Sequence, residues 1–172
     1  MKRAVMVLAL VLVASCAYGA EEMGKLDFLI GEWKGEAWIQ MGPNKRETVI
    51  QTEKVTPKAG GKVLLVEGLG KRKMEDGTAG EVVHDAIAMI SWDNARSTYR
   101  FIGHVAQQES VDSSLDMTAP NTLVWGMDTP QGGKVRFTIR LNEKGQWVEA
   151  GEFSRDGTTW MKFMEMTLTK SK

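Results

Sequence analysis

"KVRFTIRL", Lys134–Leu141, alternates without a break. Val135, Phe137, Ile139 and Leu141 fall on one side; Arg136, Thr138 and Arg140 fall on the other. Successive strand residues point to opposite faces, so a period of two marks an extended segment with one apolar and one wet face. The apolar set is expected to look into an interior and the arginines into solvent. Working outward, extended segments are expected at 33–41, 46–55, 62–71, 82–92, 98–105, 109–118, 122–127, 134–141, 146–154 and 159–169. The breaks carry turn residues, among them "GPNK", "EDGTAG", "DNAR", "TPQGG", "NEKG" and "RDG". Only the break near 106–108 lacks Gly, Pro, Asn and Asp. Strands joined by short turns, with no crossover helix, form an antiparallel meander. A long twisted meander tends to close on itself, because closure removes its unpaired edges. The fold class expected is therefore all-β, a single antiparallel up-and-down barrel of about ten strands. A barrel of about eight strands is filled by its own side chains or holds one small ligand, and ten leave more room.

The chain has 172 residues, enough for one such domain. Residues 1–20, "MKRAVMVLALVLVASCAYGA", read differently. Lys2 and Arg3 precede an apolar run over 4–14 and then small residues, the layout of an export signal. That leaves 21–172 as the barrel domain. Val13-Ala14-Ser15-Cys16 resembles a lipobox, in which Cys16 becomes the lipidated first residue; cleavage after Gly19 is the competing site. Cys16 is the only cysteine, so the mature domain has no disulfide and must rely on its core. Removal of the signal leaves 20 basic and 22 acidic residues, scattered along the chain. That balance gives no electrostatic case for nucleic acid, and none for a membrane beyond a lipidated N-terminus.

"LDFLIGEWKGEAW", 26–38, joins the two parts. Met23, Leu26, Leu29 and Ile30 are spaced as on a short helix, expected over 23–30 and closing one end of the barrel. Gly31 ends it, and Trp33 opens the first strand with its indole beneath the plug. This G-x-W arrangement resembles that of calycin barrels, the lipocalins and their relatives. With "VLLVEGLG", "VHDAIAMISWD", "LVWGM", "GEFSRDGTTW" and "FMEMTLTK", nearly the whole mature chain resembles the DUF1579 type of uncharacterised bacterial calycin-like proteins. A more distant resemblance, on the 28–35 stretch, is to nitrobindin-like haem barrels. In those the iron is held by a histidine near the C-terminal strands, and 147–169 contains none here. Haem is therefore not an expected cofactor, and His84 is the one substitute ligand.

Candidate chemistry is sparse. His84 shares a strand face with Ala86, Ala88 and Ile90, and two alanines beside a histidine leave space, as a cavity wall would. A histidine satisfied near a strand end is the plainer reading. His104 is expected to point outward, opposite Tyr99 and Phe101. No H-E-x-x-H, cysteine pair or G-x-S-x-G occurs, so neither a metal site nor a nucleophile is expected, and no catalytic residue is assigned. Glu67, Glu152 and Glu165 lie in apolar stretches and would need partners if internal; salt bridges across strands are the plain alternative. Leu123, Trp125 and Met127 share a face. Methionine and tryptophan suit an adaptable apolar pocket as well as an ordinary core. The ligand-binding set expected is His84, Ala86, Ala88, Trp125, Met127, Glu67, Phe137 and Ile139. "KVLLVEGLG" is apolar on both faces, so its outside is expected to be covered by the N-terminal segment or by a second copy in a homodimer.

Three functions follow. The leading one is an exported barrel, periplasmic or anchored to the outer membrane, holding a small apolar or amphipathic ligand. The second is an isomerase- or hydrolase-type enzyme using a carboxylate and His84. The third is an envelope protein with a filled barrel that binds partners by its outside. Fold alone does not choose among them. The expected mature N-terminus is testable at once: intact-mass analysis of the membrane fraction should find a lipid-bearing chain beginning at Cys16, and an unmodified chain beginning at Ala17 or Ala20 would overturn it.

Overall fold

The computed structural model describes residues 19–106 and 110–171. Cys16 and most of the expected export signal lie outside them, as does residue 109, the expected start of the sixth strand. Ten strands close into one barrel in the order β1-β10-β9-β8-β7-β6-β5-β4-β3-β2, each antiparallel to its neighbours. They are β1 Gly31–Gly42, β2 Lys45–Lys58, β3 Val63–Lys73, β4 Ala79–Asp93, β5 Thr98–Val105, β6 Val111–Ala119, β7 Thr122–Asp128, β8 Lys134–Leu141, β9 Trp147–Ser154 and β10 Met161–Lys170.

The seam that closes the barrel is β1 against β10, in register from Trp33↔Lys170 to Ile39↔Met164. Gly35 sits on it. A Cβ there would collide with the Thr167 carbonyl oxygen, so glycine is what allows the two backbones to meet. The expected strands stand with shifted ends. β4 is longer than expected at both ends, and β10 starts later. Residues 155–160 form a loop ordered by Asp156, whose Oδ1 accepts from the amides of Thr158 and Thr159 at 2.8 and 2.7 Å.

One end of the barrel is filled. Residues 19–24 are helical, 25–26 turn, and Asp27–Leu29 form a 3-10 turn. The expected helix over 23–30 is thus broken after Gly24, a poor helix former, and the chain continues through i→i+3 bonds from Leu26 to the Met23 carbonyl and from Leu29 to the Leu26 carbonyl. Met23, Leu26 and Leu29 plug the barrel against Trp33, Tyr99, Leu115, Leu123 and Leu168. The Trp33 indole N–H donates to the Leu29 carbonyl at 2.7 Å, and the Tyr99 hydroxyl to the Glu22 carbonyl at 2.8 Å. Two polar atoms on barrel strands therefore pin the plug backbone, and the Tyr99 hydroxyl also reaches the Glu22 carboxylate at 3.4 Å.

The alternation in β8 holds. Ile139 is buried, Phe137 and Leu141 lie inside, and Arg140 is exposed. Arg136 lies outside, 2.8 Å from Glu152 and over the Trp160 ring. The outer faces of β3 and β4 carry exposed Leu69, Ile87 and Met89. The described part of the N-terminal segment packs at the plugged end and does not cover them. An aspartate at Ile139 would face the core with no basic partner. Ile139→Asp should cost at least about 3 kcal/mol in urea melts, and Arg140→Asp about 0.5 kcal/mol or less; equal costs would mean the two faces are misassigned.

Candidate functional site

Above the plug the lumen is not filled to its mouth. Phe101, Trp125, Phe137, Phe163 and Met164 belong to the inner wall, yet each keeps accessible surface. The rings of Phe101, Trp125 and Phe137 stack in a ladder, with centroids 4.4 Å apart at each step and tilts of 22° and 16°. Phe163 meets Phe137 edge-on at 5.8 Å. Gly151 makes room for them, since a Cβ there would lie 2.9 Å from both Phe137 and Phe163. One side of the lumen is therefore a flat aromatic wall.

Two acids also face inward, Glu53 from β2 across the barrel and Glu149 from β9, below the rings on their own side. β2 puts Val49, Gln51, Glu53 and Val55 on the inner face, and Gln51 and Glu53 are as buried as the valines. The Gln51 amide donates to Glu53 Oε1 at 2.8 Å. Gly68 and Gly70 of β3 leave the hollow these side chains occupy: a Cβ at Gly68 would lie 2.8 Å from Glu53 Oε1, and one at Gly70 would lie 2.5 Å from Gln51 Oε1 and 3.0 Å from the His84 Cβ. Glu149 of β9 faces the same lumen, in register with the core residues Ile139 and Met166. Protein crowds its carboxylate, although the residue keeps some accessible surface. The Trp147 indole N–H is buried without a hydrogen bond of ordinary geometry, but lies near enough to Glu149 to favour its charged form.

Burial sets the protonation of this group. It raises Glu53 from an ordinary value of 4.5 to about 7, against the stabilising Gln51 amide. It raises Glu149 to about 8, with the Glu53 charge adding to the shift. Burial pushes His84 down, opposed by Asp85, so the imidazole is neutral at neutral pH. A charge on Glu53 thus opposes ionisation of Glu149.

The expected site residues divide. His84, Ala86 and Ala88 line the lumen beside the acids, as the pairings Gly70↔His84, Gly68↔Ala86 and Val66↔Ala88 require. Trp125 and Phe137 form the aromatic wall, and Ile139 lies in the core next to Glu149. Met127 is on the inner side at the open rim and is 38% exposed. Glu67 is a correction: it pairs with Lys54 and Ile87 and is exposed on the outer face, because the inward parity of β3 belongs to Leu64, Val66, Gly68 and Gly70. Glu152 and Glu165 are also outside, paired with Arg136 and Lys162. His104 is exposed, as expected. Met41, Met74 and Met89 are exposed and do not line the lumen. The acids that do face inward, Glu53 and Glu149, were legible as acids sharing strand parity with Val49 and Val55 or with Trp147 and Phe153. No group of three His, Cys, Asp or Glu residues placed to hold a metal occurs among the described residues.

These features define a class: a closed ten-stranded antiparallel barrel, plugged at one end, with aromatic rings and two acids turned into its lumen. Among solved structures, the crystal structure of Rv2717c from M. tuberculosis is similar, with a TM-score of 0.62 and 10% identity over 87% of this chain and 97% of that one. At that identity the likeness is one of fold. No family model matches the chain, and no curated protein does.

Because the folded state holds protons on Glu53 and Glu149 that the unfolded chain releases near pH 4.5, folding takes up protons between about 4.5 and 8. The stability linked to them is complete below pH 4.5 and is lost as pH rises through 7 to 8. Glu149→Gln should therefore raise the melting temperature at pH 8.5 and change it little at pH 5. An equal shift at both would show that Glu149 is not held protonated.

Proposed function

We propose that the barrel binds a small, largely apolar ligand in its lumen, flat against the Phe101–Trp125–Phe137 ladder, with its polar group turned to the acids. The observation that carries this is the accessible surface kept by inward-facing aromatic side chains above a sealed plug. Binding sites are commonly concave, mainly apolar and furnished with a few convergent polar groups, and this lumen has that composition. Kinship with the DUF1579-type barrels rests on the sequence motifs quoted above and fits this container. A site of action outside the cytoplasm, on a lipid-anchored chain, is part of the proposal and rests on residues 1–20.

A second reading, a proton-transfer enzyme in the same barrel, is favoured by the raised acids beside a neutral His84. Paired groups with displaced protonation equilibria are what general acid–base chemistry needs. No reacting group is assigned, because the same arrangement serves binding.

A neutral, environment-sensitive dye separates a lumen that admits guests from one that does not. Nile red should bind saturably with a rise in emission and quench tryptophan fluorescence. Ala86→Trp, which fills the space over Gly68, should weaken it by about tenfold or more. Unchanged binding in that variant would place the dye outside the lumen and overturn the reading.

A further inference from the structure

We propose that the ligand carries a positively charged amine, held by the carboxylate of Glu149 and backed by Glu53, with an aromatic or other flat apolar body on the ring ladder. The inference deepens the lumen-binding reading and rests on it. Three observations carry it. First, Glu149 is enclosed by protein, faces the lumen, and accepts no hydrogen bond of ordinary geometry from any described residue. Glu53, by contrast, is engaged by Gln51. A buried carboxylate without a partner is costly, and a cation is the partner that offsets most of that cost. Second, the lumen supplies no such cation itself. Among the described residues, the basic side chains nearest its inner face are Arg72 and Lys170. Arg72 lies at the mouth and is engaged by Glu47 and Glu81. Lys170 sits over the Trp33 ring at the plugged end. His84 is held neutral. Third, the walls suit an organic cation. Gly151, two residues from Glu149 on β9, is packed by the Phe137 and Phe163 rings, which keep accessible surface, so a flat apolar body lying on them holds its amine within reach of this acid. Where these acids ionise they repel a fatty-acid carboxylate, so the lumen then differs in sign from one built for anionic lipids.

The experiment is isothermal titration of the mature domain at pH 8 with three ligands of one shape: 2-(2-naphthyl)ethylamine, 2-(2-naphthyl)ethanol and 2-naphthylacetate. The amine should bind at least about tenfold tighter than the alcohol, and the carboxylate weakest. Glu149→Gln, checked by its melting curve, should bring amine and alcohol to within about twofold. If Nile red enters but the alcohol binds as well as the amine, or the carboxylate binds best, the charge assignment is wrong and the lumen reading survives. If the amine preference persists in Glu149→Gln, the cation sits elsewhere and the assignment to Glu149 fails. If neither Nile red nor any naphthyl ligand enters, the lumen reading falls and this inference with it. The wild-type series decides the charge question even if the variant does not fold.

Discussion

Closure of the sheet between β1 and β10 is the constraint on which the rest depends. Once Gly35 lets its strand lie against the Thr167 carbonyl, no strand along the seam is left as an edge, and every residue on a strand is either inside or outside. That sorting is strict because side chains alternate. It leaves no neutral position for a polar residue of inward parity. Gln51, Glu53 and Glu149 are inside because their neighbours two residues away are core residues, and a shift of one residue in register would turn Val49, Val55 and Trp147 to solvent.

The two ends of the barrel then take opposite characters. At one end the plug contributes Met23, Leu26 and Leu29, and the Trp33 and Tyr99 donors hold its backbone. Water is excluded there, and the acids just above it feel a low dielectric. Toward the other end the strands carry Glu47, Arg72 and Glu81, which pair with one another near solvent. The lumen thus grades from dry to wet over a few residues. The altered protonation of Glu53 and Glu149 belongs to the dry part, and it is a consequence of the plug as much as of the acids themselves.

Much of this architecture could be read from the chain. The strands announce themselves through alternation in β8 and through turn residues at most breaks, and the plug through the spacing of Met23, Leu26 and Leu29. The candidate site was only half legible. His84, Ala86 and Ala88 stand out because small residues flank a histidine, Trp125 because it shares a face with Leu123 and Met127, and Phe137 because it belongs to the apolar set of β8. Glu67 misled because Val63 to Val66 is apolar on both faces, so parity alone does not say which set turns inward; the glycines at 68 and 70 decide it by leaving room for side chains from β2. Glu53 and Glu149 offer only their strand parity as a signal, because an acid in a strand is ordinarily solvated. Their proximity also joins residues nearly a hundred positions apart, which only the closed sheet brings together.

The strands are unequal in length, and this gives the barrel a rim of uneven height. β4 spans 15 residues and β5 only 8. Their pairing begins at Ala86↔Val105, with one further bond from the Ala106 amide to the Asp85 carbonyl. Above that point β4 from Ala79 to His84 is held by β3 alone among the described residues, and its register there slips twice. Backbone amides in such a singly supported stretch exchange with solvent through small local openings rather than through global unfolding. His84 stands at the foot of this compliant lip. On the lumen-binding reading, a guest entering from this end would pass the lip before it reached the more firmly held wall below.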